Sequence, residues 1–431
     1  MLWAWLMPSL FRRAIVLSLA LALPVAACSG ASNPQTDAGD AGLDAQPEVG
    51  HPDSSAPDSS HPDASTPDAS TPDASTSDGD GDGGALSCDE AAHDPVLGTA
   101  RLGAAFRVVD SAVLPVTSWL PVALVPEALP GGSNGLVAYG YAGDGRVHRL
   151  GVWPQLAAPS STNVAFDAVS PADRTYQVLT TPLLATTHGR MLAGYRTIRA
   201  GAFVGGGVSI YDTAHPEAGA TWLAAPGNEG ALGLGSYFLV GGEGLGSAAA
   251  GRGVYGVHLD EAKPHPGLVA KFPTIPDEDV RPGLMSVAAN GVVVLGHYLD
   301  GASRHSLRLP EPSQLSVALS GGAPIDLAAA PELIQADDVA NVASLEHGFA
   351  VLHTRKGRGV LPALGRLDHY VVSRPGGDAG TAVAAPVTML SAPDDDACTL
   401  VSQLVPTSGG LNVVVGLWDR NGQRLVRLAP R

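Results

Sequence analysis

From residue 88 on, the sequence predicts an all-β fold, a six-bladed β-propeller with the β-sandwich as the alternative. Three observations lead there. Short β-branched and aromatic runs alternate with Gly-, Pro- and Asp-rich turns. No long stretch carries the period of a helix. A strand–turn–strand phrase recurs six times at intervals of about 50 to 60 residues, which fits blades of four strands. A two-layer sandwich needs no such period, so the repeat favours the propeller.

The clearest copy runs from His188 to Pro226 and reads as one sheet unit. Six apolar runs mark the second strand of each unit: Gly135–Gly140, Arg190–Tyr195, Tyr237–Gly242, Gly291–Gly296, Gly348–His353 and Gly410–Gly416. A partner strand follows each, at Arg146–Trp153, Gly207–Asp212, Gly253–Asp260, His305–Leu309, Leu367–Ser373 and Gln423–Leu428. The last unit stops after its third strand. The stretch Val113–Leu120, with Trp119, resembles an outer strand without a unit of its own. It is expected to complete the last unit and close the ring, removing the exposed edges that invite aggregation.

Val240-Gly241-Gly242 followed by Val254-Tyr255-Gly256-Val257, and Val208–Asp212 followed by Thr221-Trp222, resemble blades of the Kelch family. The resemblance implies that each unit is a blade whose innermost strand lines a central channel. Most copies lack the double Gly. The Tyr/Cys/His constellation of copper oxidases with this blade type is not found.

The chain begins with a different kind of segment. Arg12-Arg13, the apolar run Ala14–Leu23 and the small residues that follow read as a secretory signal over residues 1–27. The run is too short for a comfortable transmembrane helix. Val25-Ala26-Ala27-Cys28 resembles the lipobox of bacterial lipoproteins. That resemblance implies that Cys28 is lipidated, palmitate being one such acyl chain, and becomes the mature N-terminus. An ordinary signal peptide cut nearby is the alternative. Ser29 stands where that family's inner-membrane retention signal has Asp, which favours the outer membrane. Each buried methylene of the anchor contributes about 0.8 kcal/mol.

Residues 28–87 read as a tether. No Lys or Arg occurs from Ser29 to Ala100, and Pro-Asp-Ala-Ser-Thr repeats from Pro62, Pro67 and Pro72. With almost nothing apolar to bury and its acids repelling one another, this segment is expected to be disordered and extended. It also distorts the charge. The net charge is −17, but 12 of the 42 acids lie between Asp37 and Asp82. The folded part is only mildly acidic, with no basic stripe or nucleic-acid motif, so nucleic acid is not an expected partner.

With Cys28 lipidated, Cys88 and Cys398 remain, in an oxidising compartment. A disulfide between them is expected, tying the start of the domain to the loop entering the last unit; two buried thiols are the alternative. Asp78, Asp80, Asp82 and Gly83 followed by Asp89 match the start of an EF-hand loop, with Asp89 in place of the bidentate Glu. Calcium favours such a string of hard oxygens. The flanking helices are missing, and an acidic linker is the plainer account. No other cofactor is implied.

Nucleophile elbows, zinc-protease helices, phosphate loops and dinucleotide fingerprints are all absent. The expected function is therefore non-catalytic binding of a protein or glycan ligand by an envelope-anchored propeller. The alternative is a propeller enzyme acting on extracellular glycans, and fold alone does not decide. The loops entering each unit are acidic (Asp277 to Asp279, Asp337-Asp338, Asp394 to Asp396), and the hairpins between second and third strands carry arginines. Both sets are expected on one face. His297 and His353 end adjacent second strands, so His297, Asp337, Asp338 and His353 form the candidate binding face. A carboxylate beside imidazoles could ligate a metal or move a proton. Exposed ion pairs, contributing about 0 to 1 kcal/mol each, are the alternative account of the charges.

Overall fold

The computed structural model describes Cys88 and residues 94–431, apart from 116–119, 227, 246–250, 260–266, 277–278, 300–303, 357–360, 374–380, 394–397, 408–409 and 421. The expectations for Cys28, the tether and Asp78, Asp80, Asp82 and Asp89 lie outside these residues.

The described residues are all-β, and their main strands group into six antiparallel units of four; the bridge Ala363–Leu400 joins units 5 and 6 in one larger sheet, and Ile325–Asp326 adds a short parallel strand to unit 3. Units 1 to 3 comprise Val122–Ala128, Asn134–Tyr141, Arg146–Val152 and Val164–Asp167; then Gln177–Thr187, Arg190–Arg199, Ala202–Asp212 and Ala220–Ala224; then Gly230–Leu234, Tyr237–Gly242, Gly253–His258 and Gly267–Lys271. Unit 4 comprises Val280–Val287, Val293–Leu299, Arg304–Arg308 and Glu332–Ala336, and unit 5 Val339–Leu345, Gly348–Arg355, Ala363–Ser373 and Val387–Ser391. Unit 6 comprises Leu400–Pro406, Val413–Asp419 and Gly422–Pro430, with Phe106–Val113 as its fourth strand. The six second strands and their partners fall where the apolar runs and turns place them. The stretch His188–Pro226 holds three strands of unit 2, and the first strand, Gln177–Thr187, precedes it.

The first strands of the units contact one another in a closed cycle, from unit 1 through unit 6 and back to unit 1. The core follows from that. Buried side chains form six clusters, one between each pair of successive units. In the second strand of unit 2, Met191 and Ala193 pack toward unit 1 while Leu192 packs toward unit 3. Side chains alternate across a strand, so a strand buried on both faces reads as one continuous apolar run. That is why the second strands were so visible.

First strands are less regular. Those of units 2, 4, 5 and 6 lose register between Leu179 and Leu183, Pro282 and Met285, Val339 and Asn341, and Val401 and Gln403. In three of these units a glycine of the second strand lies beside the bulge: Gly194, Gly296 and Gly416. A Cβ on Gly296 would sit 2.6 Å from the backbone oxygen of Leu284, so the close approach requires glycine.

The ring is closed by the N-terminal strand, but by an earlier segment than Val113–Leu120. Phe106–Val113 pairs antiparallel with Gly422–Pro430. Arg107, Asp110 and Ser111 interrupt its apolar pattern, which hid it from the sequence reading; an outer strand buries less of itself. Asp110 Oδ1 accepts hydrogen bonds from Arg427 Nε of unit 6 (2.9 Å) and Trp153 Nε1 of unit 1 (2.9 Å). At the same junction Gln403 Oε1 accepts from Val122 N at 2.7 Å. The segment before the strand is held by Arg424, whose Nε donates to Val96 O at 3.1 Å and whose guanidinium grips Asp419 at 2.7 and 2.8 Å. Cys88 and Cys398 form the expected disulfide, with Cα atoms 5.3 Å apart. One helix, Pro312–Leu319, was not anticipated; it buries Leu315 and Ala318 against the outer strand of unit 3.

Two outcomes follow. Cys398→Ser should destabilise the fold by about 5 kcal/mol at most, the loop-closure entropy of a bridge spanning 310 residues, read from denaturant unfolding of the oxidised wild type and the variant. Gly296→Ala should cost about 1 to 3 kcal/mol, measured the same way, whereas Gly143→Ala, in open space on the surface and without a positive φ, should cost less.

Candidate functional site

Each first strand of units 2 to 5 begins near an acid: Asp173, Glu229, Asp279 and Asp338. All four are taken up by neighbouring side chains. Tyr195 Oη and Ser170 Oγ donate to Asp173 Oδ2, the latter at 2.8 Å. Arg196, near the end of the second strand of unit 2, pairs with Glu229. Arg252, in the hairpin of unit 3, pairs with Asp279 and, at 3.0 Å, with Glu243. The contact of Arg252 with Asp279 brings a hairpin arginine and an entering acid together, as the charge pattern implied; the Arg196–Glu229 pair is a further one outside that pattern. Arg281 adds a 2.8 Å contact to Asp279. Burial opposes ionisation of Asp279, but Arg252 and Arg281 outweigh it and lower its pKa. At Glu229 burial wins over Arg196, and the carboxyl is pushed up.

Of the four-residue candidate face, two members are in direct contact. Asp338 and His353 are joined, Oδ1 to Nδ1 at 2.9 Å. Asp337 is an exposed neighbour in the same turn. His297 is 2 % exposed, 6.2 Å from the Phe272 ring, with Arg308 and His305 as its charged and titratable neighbours. Among the described residues no hydrogen bond or ion pair joins His297 to the Asp338–His353 pair, and no group of three His, Cys, Asp or Glu could hold a metal ion. The pair has partners that sequence reasoning missed. Arg366 Nε donates to Asp368 Oδ2 at 2.7 Å, Thr388 Oγ1 donates to Asp368 Oδ1 at 2.8 Å, and Asp368 lies 3.8 Å from His353 Nε2. The available signal was the Arg366/Asp368 spacing of two, which puts both on one face of a strand.

Burial lowers the His297 pKa to about 4, helped by Arg308, and lowers that of His305 to about 3, helped by His297. Both imidazoles are neutral in the folded state at neutral pH. An unfolded histidine titrates near 6.5, so their contribution is fully present above that pH. It is lost as pH falls from about 6.5 toward 4, where the unfolded chain binds more protons. The melting temperature should drop over this window, and His297→Leu should flatten the drop while leaving the curve above pH 7 parallel.

A cavity of about 530 Å³ lies where the six first strands meet. Its lining runs along all six and onto the hairpins at His188-Gly189, Ala288-Ala289 and Thr407; Asp173, Glu229, Asp279 and Asp338 are not part of it. Most of the lining is apolar, from residues such as Leu124, Leu184 and Val287. Its polar side chains are hydroxyls, Asn341, Gln403 and, on an exposed hairpin, His188. Among the described residues the lining contains no Asp, Glu, Lys or Arg.

No protein-family model matches this chain, and no curated protein does. Among solved structures, it is similar to the soluble aldose sugar dehydrogenase of Escherichia coli, at 11% identity over 77% of this chain and 100% of that one, with a TM-score of 0.39. The PQQ domain of a pyranose dehydrogenase from Coprinopsis cinerea matches at 10% identity over 77% of this chain and 97% of that one, TM-score 0.40. A six-bladed fucose-recognising lectin of Aleuria aurantia matches at 13% identity over 74% and 98%, TM-score 0.31. At these scores the likenesses carry no weight for fold or activity, which rest on this chain's own topology and residues.

Proposed function

We propose that the six units are the blades of a six-bladed, Kelch-like β-propeller that binds a small ligand in its central cavity without transforming it. In this reading the chain is exported, anchored through Cys28 to the outer membrane, and displays the propeller on the tether of residues 28–87. The cavity is the observation that carries the binding role. Its volume is in the range of small-molecule sites, and its lining is apolar with a few polar groups, the usual make-up of such sites. What catalysis by proton transfer needs, a pair of titratable groups converging on one point, is absent from that lining.

The alternative, a glycan-processing enzyme, has one observation in its favour: Glu229 is a desolvated carboxyl with a raised pKa. Its pairing with Arg196 engages one oxygen, and no second free carboxylate meets it among the described residues. The binding reading is tested by native mass spectrometry of the folded protein after incubation with the small-molecule fraction of envelope extract. A retained mass should appear with the wild type and vanish with Thr186→Trp, which fills the cavity from a partly exposed position. Retention that survives Thr186→Trp, together with Glu229-dependent turnover of a glycan, would favour the enzyme.

A further inference from the structure

We infer that the ligand of the central cavity is an uncharged, hydroxyl-rich molecule of the size of one or two sugar rings. This rests on the reading of the cavity as a binding site and adds the chemistry of its occupant. The first argument is charge. With no Asp, Glu, Lys or Arg among the described residues of the lining and His188 on an exposed hairpin, an ion held among the six strands would have no counter-charge there. Burying an unpaired charge costs several kcal/mol, so a carboxylate, phosphate or ammonium ligand is disfavoured throughout.

The second argument is the pattern of hydrogen-bonding groups. Along the cavity each first strand pairs with its own second strand; a second partner joins only at the outer start of unit 6's first strand, where Leu400 bridges Ala363. In antiparallel pairing, every second residue turns its N–H and C=O away from the partner. Six such edges meet at the cavity and present neutral donors and acceptors in alternation around it. A group that both donates and accepts at one atom suits this lining, and a hydroxyl is such a group.

The side chains add to the pattern. Thr187 Oγ1 donates to Gly235 O at 2.7 Å, Thr407 Oγ1 to Asn412 O at 2.8 Å, and Gln403 is tied to Leu120 and Val122. Those three are spent on the fold. Thr186, Ser286 and Ser344 carry hydroxyls with no such bond among the described residues. Between them lie apolar patches such as Leu124 and Val287, which suit the C–H faces of a ring compound.

Titration calorimetry on the whole folded protein tests the class. Glucose, cellobiose and trehalose are the neutral probes; glucuronate and glucosamine are the charged counterparts. At least one neutral probe should bind ten-fold or more tightly than either charged one. Thr186→Trp and Val287→Trp should each weaken it ten-fold or more with an unchanged melting temperature. A charged probe that binds as tightly, and is lost in both filled variants, overturns the ligand class but leaves the cavity as the binding site. Binding that both filled variants retain overturns the cavity itself. No heat from any neutral probe at millimolar concentration also overturns the class, leaving a channel filled by water or by another chemistry; mass spectrometry on the extract then tells these two apart.

Discussion

Everything in this fold depends on joining unit 6 to unit 1. Each unit buries its two faces against its neighbours, so no unit has a core of its own. An open row of units would leave two apolar faces in water, at about 25 cal/mol for every Å² of apolar surface exposed. Closure removes both at once. Asp110 sits at the joint: carried by the closing strand, it accepts hydrogen bonds from Arg427 of unit 6 and Trp153 of unit 1. Arg427 also lies over the Trp153 ring, 5.9 Å from its centroid, so charge and aromatic surface meet where the ring is sealed.

The same geometry sorts polar chemistry into two zones. At the starts of the first strands, acids meet arginines, a tyrosine and a histidine, and the charges cancel locally. Around the centre, strand edges and apolar side chains meet, and the lining is neutral among the described residues. Bulges mark the boundary between the zones. They fall in the first strands of four units, in three of them beside a glycine that lets the second strand come close, and they re-aim the side chains that follow.

Much of the fold was legible because the strands that matter most are buried on both sides. Val292 to Leu295 and Phe349 to Leu352 could only be interior strands. The disulfide was legible from counting cysteines together with the expectation of export. The closing strand was misplaced because Arg107, Asp110 and Ser111 look like a loop until Arg427 and Trp153 are beside them. The helix Pro312–Leu319 was missed because eight residues with two buried side chains leave little periodic signal. Of the candidate face, the Asp338–His353 contact was legible as a carboxylate entering the unit whose second strand ends in histidine. His297 occupies the equivalent place in unit 4, yet the acid at that unit's start, Asp279, is held by Arg252 and Arg281, and the imidazole turns to Phe272. Competition for a partner is a tertiary fact that spacing does not carry. The cavity was not legible as a site, because backbone edges line much of it and any sequence supplies those.

The pairing of Phe106–Val113 with Gly422–Pro430 also sets an order of events. The strand is among the first parts of the domain to be made, and its partner is among the last, with Asp110 and Arg427 separated by 317 residues. During synthesis the early strand waits, with its edge unpaired, while the other units emerge. Units 2 to 5 can stack as they appear, each on the one before. Closing the ring needs contacts of very long sequence separation, which form slowly and leave edges exposed meanwhile. Cutting the chain elsewhere and joining its old ends near Ala105 and Arg431, whose backbones already touch at 2.9 Å, would move that wait to another junction without changing the finished ring.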